Sequence, residues 1–426
     1  MRNLLSGVTR VALPVQAEMI FGRLACPTAD DFKARPLYVW YDYLCCPQGV
    51  SSTAARQRHS AIRSIPSYVS KCEYFVILCP TVERADKSEM LDLATWAARG
   101  WCRTERHARE LSARKGGYTI VVECSKQQAL YLDISGFLDA PGHGSWSRES
   151  DKAAVGSALM QMVWNKLLFF LERRDFHGYR FLLNRQGACI FNGLPVEPVD
   201  GLIPGFVTVL DPFEDAAAFA VEWFLHQNGF RTVLERDSAG WTPLCYAAIR
   251  GDVALVQGLL QRRADPNDQV TKATGSILPG RVPVLALAAH LHHNQVMETL
   301  IAARASVHRA DTIRATPAHW ASLGNNADGL RLLCDANADL LKQNVLGMRV
   351  FDTACCKAAV ETMAKMLAEN PETSIRFGLH FAVMFHGGHE KPIHWLIQAK
   401  ADLEERFEVQ KTQQPEWWVL IQMSSL

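Results

Sequence analysis

Four groups of residues in this 426-residue chain have types and spacings that could carry chemistry. Twelve cysteines are scattered, and several, such as Cys79 and Cys245, sit inside apolar patterns. The opening stretch MRNLLSGVTRVALPVQAEMIFGRLAC mixes apolar and charged residues and does not read as a signal peptide, so reduced, buried thiols are expected. The adjacent pairs Cys45-Cys46 and Cys355-Cys356 lack the two-residue gap and the second half of a zinc site. His380, His386, His389 and His394 cluster in sequence, but no carboxylate-plus-histidine spacing matches a zinc helix. His386 and His389 flank a Gly387-Gly388 turn, where polar residues belong, and His292-His293 occupies the equivalent turn earlier in the chain. No metal site is expected. In Arg99-Gly-Trp-Cys-Arg-Thr-Glu105 a helix opens, and Glu105 reads as an acid near its positive N-terminus, worth ~0.3–1 kcal/mol. Trp101 and Cys102 read as core.

The elements that must position these residues follow from length and pattern. At 426 residues, two or three domains are expected. A 48% hydrophobic and 21% charged composition is that of a folded chain, and a formal charge of +1 gives no reason to expect nucleic acid as a partner. The most apolar local run, residues 167–171, is far shorter than the ~20 residues a bilayer span needs, so no membrane span is expected.

A phrase recurs through the C-terminal half. It begins with residues 237–248, Asp-Ser-Ala-Gly-Trp-Thr-Pro-Leu-Cys-Tyr-Ala-Ala, and continues through Gly251, Leu259-Leu260 and Ala264-Asp265. Thr242 is expected to cap a helix through its hydroxyl, and Pro243 fits the first helical position because its missing N–H costs nothing there. Ala247 and Ala248 let two helices approach closely, and Gly251 suits the left-handed residue that ends a helix. The phrase returns at residues 285–289 with Ala305, at Thr316-Pro317 with Gly324 and Ala338, and at residues 379–382 with Ala401. The closing alanines step by 41, 33 and 63 residues, which places a degenerate fourth unit at residues 348–370 and an insertion at residues 270–280. This pattern resembles ankyrin repeats. The resemblance implies an all-α repeat solenoid over residues 213–408, with residues 215–234 as its N-terminal cap and about five repeats. It also implies a protein partner on the concave face of fingers and inner helices, where Arg281, Arg314 and Lys342 are the candidate contacts.

The N-terminal half alternates differently. Residues 37–42 and 74–79 read as strands, the second buried on both faces, residues 61–69 as a helix, and residues 118–123 as a further strand. Strands alternating with helices predict an α/β open parallel sheet. Val39-Trp-Tyr-Asp42 with Cys46-Pro47-Gln48, Ile65-Pro-Ser-Tyr68 with Phe75-Val-Ile-Leu78, and Trp101-Cys-Arg-Thr-Glu105 together resemble TIR domains and the related fungal heterokaryon-incompatibility domains. Residues 7–13 are the one candidate for a first strand, and they lack the family's first-strand signature. In NAD-cleaving members the matching glutamate is catalytic, which implies that role for Glu105. Nicotinamide leaves NAD as a neutral pyridine, so one carboxylate stabilising an oxocarbenium-like transition state suffices.

The expected organisation is multidomain: residues 1–35 unassigned, 36–128 TIR-like, 129–212 linker and connecting helix, 213–408 ankyrin repeats, and 409–426 a tail or cap carrying Trp417-Trp418. Residues 136–148 read as linker, and a long helix opens at Asp151 with Val155, Leu159, Met162, Val163 and Leu167 on one face. Two functions follow from the resemblances. One is a cytoplasmic scaffold or adaptor in signalling, with self-association through the TIR-like domain and no cofactor. The other is an NAD glycohydrolase using Glu105, with NAD as substrate and the repeats for targeting or autoinhibition.

Overall fold

The structure, a computed structural model, describes residues 2–14, 24–41, 45, 49–85, 90–112, 117–131, 139–272, 279–386 and 390–405. Two short helices, α1 (Arg2–Leu5) and α2 (Ala29–Lys33), precede the longer α3 (Ser52–Lys71). Asp31 accepts from the Thr28 N–H at 2.7 Å, and Ser51 accepts from the Ala54 N–H at 3.1 Å. Both helices therefore start where a side-chain acceptor meets the unpaired first-turn N–H groups. Next come β1 (Tyr74–Leu78), the short antiparallel pair β2 (Val82–Glu83) and β3 (Met90–Leu91), and α4 (Leu93–Ala97). They are followed by α5 (Gly100–Glu110), β4 (Tyr118–Val122) and β5 (Gln128–Leu130). The main sheet has the order β1-β4-β5. Tyr74 and Phe75, adjacent in β1, point to opposite faces. Tyr74 joins Leu4, Phe32 and Ile120 under α1 and α2, while Phe75 joins Ile65, Val69 and Ala108 of α3 and α5.

Several expectations are corrected here. The sheet is mixed, not purely parallel: β1 and β4 are parallel, but β4 and β5 are antiparallel. The cause is the tight turn closed by the Gln127 N–H on the Cys124 carbonyl at 3.4 Å, too short for any crossover. Residues 37–41 lie outside the sheet, with Tyr38 94% and Val39 80% exposed. Strand-forming residues need a neighbouring strand, and Trp40 instead stacks on Tyr68 at 5.3 Å. Asp42, Cys46, Pro47 and Gln48 lie outside the described residues. β1 is covered on both faces but only in part, Ile77 alone being fully buried and Leu78 at its end 61% exposed. Of residues 7–13, Ala12 alone bridges to the sheet, at Ala129 on the β5 edge.

The expected linker is packed. Ala140 and Pro141 are buried, and Trp146 meets Trp101 edge-on at 5.6 Å. Helix α6 (Asp151–Glu172) buries Val155, Leu159, Val163 and Leu167 against α7 (Phe176–Gln186), α3 and α5. By length and composition α6 could cross a membrane, which the shorter run at 167–171 did not suggest. One side of it is occupied by core, while Met160, Trp164 and Leu168 on another side are exposed. Lys166 Nζ donates to the Ser112 carbonyl at 2.5 Å, and Arg185 pairs with Glu110, tying the N-terminal part to this helical pair.

After the π turn Gly187–Phe191 and α8 (Ala216–Asn228), five helix pairs follow. They are α9 (Pro243–Arg250) with α10 (Val253–Gln261), α11 (Val284–His290) with α12 (Asn294–Ala302), and α13 (Pro317–Leu323) with α14 (Ala327–Asp335). The last two are α15 (Val350–Cys356) with α16 (Val360–Glu369), and α17 (Gly378–His386) with α18 (Glu390–Gln398). First helices pack on first helices and second on second along the row, and one buried cluster runs from Val221 to Leu396. The row begins earlier than the sequence suggests. α7 packs on α9 and α8 on α10, so the cap is a pair whose first member comes from the expected linker.

Leu159 is fully buried in α6 and its neighbour Met160 is 39% exposed. Leu159→Ala is expected to lower unfolding free energy by about 2–5 kcal/mol, and Met160→Ala by under about 1 kcal/mol. Urea denaturation of the two variants checks this, and similar losses would mean that α6 is not held by that face.

Candidate functional site

The fingers between helix pairs are built from one repeated turn. Asp237, Asp311 and Asn344 each accept, through Oδ1, the N–H four residues on: Trp241 at 3.0 Å, Ala315 at 2.8 Å and Met348 at 3.1 Å. The residue before each of these N–H groups is left-handed: Gly240 (φ 79°), Arg314 (φ 61°) and Gly347 (φ 73°). Arg281 (φ 61°) holds that place in the second finger. Left-handed residues also end the first helices at Gly251, His292, Asn325 and Ala358 and follow the second helices at Arg263, Arg304, Asn337 and Lys400. Gly324, expected to be one of these, is right-handed (φ −83°). Glycine is needed there for space, since a Cβ would lie 2.4 Å from the His290 carbonyl oxygen.

The candidate contacts fall on these fingers. Arg281 and Arg314 are exposed at equivalent turns, and among the described residues neither guanidinium has a hydrogen-bond or ion-pair partner. The turns are joined by the Thr312 N–H on the Gly280 carbonyl at 2.9 Å. Lys342 is half-buried and donates to the His308 carbonyl at 3.3 Å, so it bridges two fingers. Only the ends of the insertion at residues 270–280 are described. Thr242 does not cap α9 as expected; its hydroxyl donates to Asp268, which also pairs with Arg236.

The histidines serve the backbone. His292 Nε2 lies 2.5 Å from the Gly324 carbonyl and His293 Nε2 3.1 Å from the Ile249 carbonyl, linking neighbouring pairs. His389 and the side chain of His386 lie outside the described residues. Among the described residues no group of three or more His, Cys, Asp or Glu is placed to hold a metal ion.

Two features escaped sequence reasoning. At the start of the row the Tyr246 hydroxyl donates to Asp237 Oδ2 at 2.6 Å, and His177 and Arg180 of α7 lie 3.2 and 3.5 Å from that oxygen. Burial pushes Asp237 up, but the hydrogen bonds from His177, Tyr246 and the Trp241 N–H outweigh it and hold the carboxyl at about 2. The one available signal was the shared place of Asp237 and Asp311 in the repeated phrase. The second feature is a groove of about 400 Å³ lined by Leu330, Asp339, Arg349, Phe351, Thr373 and Ser374. It opens because the chain from Asn370 to the left-handed Phe377 is shorter than that from Asn337 to Gly347, so the last finger is truncated.

In the N-terminal part, α5 begins at Gly100, which puts Glu105 in its second turn, beyond the strongest field of the helix end. Glu105 is half-buried. Burial, reinforced by Glu105, pushes the Cys102 thiol up to about 12, so this sulfur stays protonated and inert. Trp101 Nε1 donates to Asp151 at 3.3 Å, and Arg106 pairs with Asp139 at 3.1 Å and donates to the Tyr131 hydroxyl at 3.0 Å.

Residues 239–271 match the family model described as ankyrin repeat, covering the first finger turn, α9 and α10. The chain thus carries an ankyrin repeat there, and repeats of this kind generally mediate binding between proteins. No curated protein matches the chain.

Asp311 occupies the finger slot of Asp237 without an α7 beside it. Burial pushes it up to about 6, against hydrogen bonds from Ala315, Trp320 and Ile313. A carboxyl raised in the fold contributes stability that is full below its unfolded value and lost as pH rises through its folded value. Asp311→Asn, which mimics Asn344, is therefore expected to gain on the parent by ~2 kcal/mol between pH 4 and pH 7. Chemical denaturation across that range reads the difference, and a flat difference would show that Asp311 ionises as freely as in the unfolded chain.

Proposed function

We propose that this chain is an adaptor whose helix pairs, from α7 and α8 to α17 and α18, form an ankyrin-repeat solenoid that captures an acidic protein across its fingers. The observation that carries this reading is the recurrence of left-handed turns in register with a core running unbroken from pair to pair. On this reading the repeat domain starts near residue 176, and residues 36–128 are a TIR-like module attached for signalling or self-association in the cytoplasm. Arginine at a left-handed turn costs roughly 1–2 kcal/mol more than glycine, and two adjacent fingers bear that cost. Exposed guanidinium groups on a row of turns, without a partner among the described residues, suit carboxylates of a partner. Arg263 and Arg304 occupy left-handed sites too, behind the second helices, so the finger arginines are distinguished by their place on the finger edge.

Replacing Arg281 and Arg314 together by glycine separates fold from binding. The double variant is expected to melt at the parent temperature or above it, yet to retain at least tenfold less of the partner in quantitative pull-downs. Arg331→Ala, on the exposed side of α14, should leave retention unchanged. Equal losses from the finger and α14 changes would overturn the reading. Residues 37–41, matched to the family's second strand, lie outside the sheet, and residues 7–13 lack the first-strand signature that walls the nucleotide in that family. Accordingly, the purified chain is expected to release no nicotinamide from NAD. Release that disappears in Glu105→Ala would establish the glycohydrolase instead.

A further inference from the structure

Between the π turn and α8 the chain passes through Phe206-Val-Thr-Val-Leu210, where burial alternates with the period of a strand. The inward residues are anchored. The Phe206 ring meets Phe219 and Trp223 edge-on at 5.5 and 5.1 Å, and the Thr208 hydroxyl donates to Glu222. The residues between them face solvent: Val207 is 90% exposed and Val209 100%, with Phe213 at 97% just beyond. Among the described residues, the backbone N–H and C=O groups of residues 206–209 have no hydrogen-bond partner. The stretch is rich in β-branched residues, and residues 206–210 themselves carry neither a charge nor a proline, the nearest prolines being Pro204 and Pro212 on either side.

We propose that this edge joins two copies of the chain, by antiparallel pairing of residues 206–210 about a two-fold axis at Thr208. Phe-Val-Thr-Val-Leu reads nearly the same in both directions. The axis therefore sets Val207 opposite the second copy's Val209, and Phe206 opposite its Leu210. Apolar residues face apolar ones and no like charges are opposed, which is what a self-complementary interface requires. The pairing also satisfies the open backbone groups of Val207 and Val209, which lie on one edge, equally on both copies. Full covering of Val207, Val209 and Phe213 on both copies sets an upper bound on the order of 1,000 Å², the low end for a specific interface, so a weak dimer dissociating in the tens to hundreds of micromolar is expected. The proposal is independent of what the fingers bind.

Sedimentation of the full chain from about 1 to 200 µM tests it, spanning the affinities such an area supports. The average mass should rise with concentration from that of a monomer towards twice that value. Val209→Lys, at a fully exposed position that folding does not use, should remain monomeric throughout. Leu234→Lys, at an exposed apolar site away from the strand, should associate like the parent. Hydrogen exchange at the Val207 and Val209 amides should slow as the parent associates. A parent that stays monomeric at 200 µM overturns the proposal. So does association that survives Val209→Lys, or association that leaves those amides unprotected.

Discussion

A helix pair with apolar residues on one side only has no stable existence by itself. Leu259, Leu300 and Leu333 are fully buried, each at the same place in a second helix, and each is covered by the next pair. Full burial of a leucine is worth about 1.5–3 kcal/mol, which is forfeited if the neighbour is removed. Alanines on the first helices, such as Ala247, Ala248, Ala288 and Ala289, bring those helices close enough for this coverage to be complete. The finger turns, the carbonyl-bridging histidines and the groove at the truncated finger are all consequences of how one pair is set on the next.

The same constraint explains why one turn position behaves differently along the row. Asp237, Asp311 and Asn344 close identical turns, yet the first is held near 2 and the second is pushed to about 6. Burial opposes the charge in both. The first pair lies against α7, whose His177 supplies a polar partner, while Asp311 has a single Trp320 side-chain donor beyond its backbone bonds. A carboxylate can therefore be a tie between elements in one repeat and a stability cost in the next. The asparagine of the fourth pair avoids that cost by having no charge to bury.

The N-terminal part rests on a smaller framework. Three strands, closed on one side by a tight hairpin, offer little area for either face, and α3, α5 and α6 supply much of the covering. α6 is thus shared between that part and the start of the helical row, which is why its buried stripe runs the length of the helix. The ion pair of Glu110 with Arg185 and the Lys166 contact with Ser112 secure the two sides of this shared support.

Sequence periodicity alone determined the helix pairs, their order and the left-handed end at Gly251, because each rests on local propensity and a repeated spacing. The strands at residues 74–78 and 118–122 and the helix around residues 61–69 were legible for the same reason. Pairing was not. Residues 37–41 have strand composition but no strand beside them, and β5 runs antiparallel because of a turn only a few residues long. Arg281, Arg314 and Lys342 could be assigned to fingers from their register, but only the tertiary structure puts the first two at left-handed turns and Lys342 on a neighbour's carbonyl. Tertiary structure also decided that residues 176–186 open the row, since a capping helix is defined by the face it covers. That face belongs to residues some sixty positions away, and such a contact leaves no mark on local spacing.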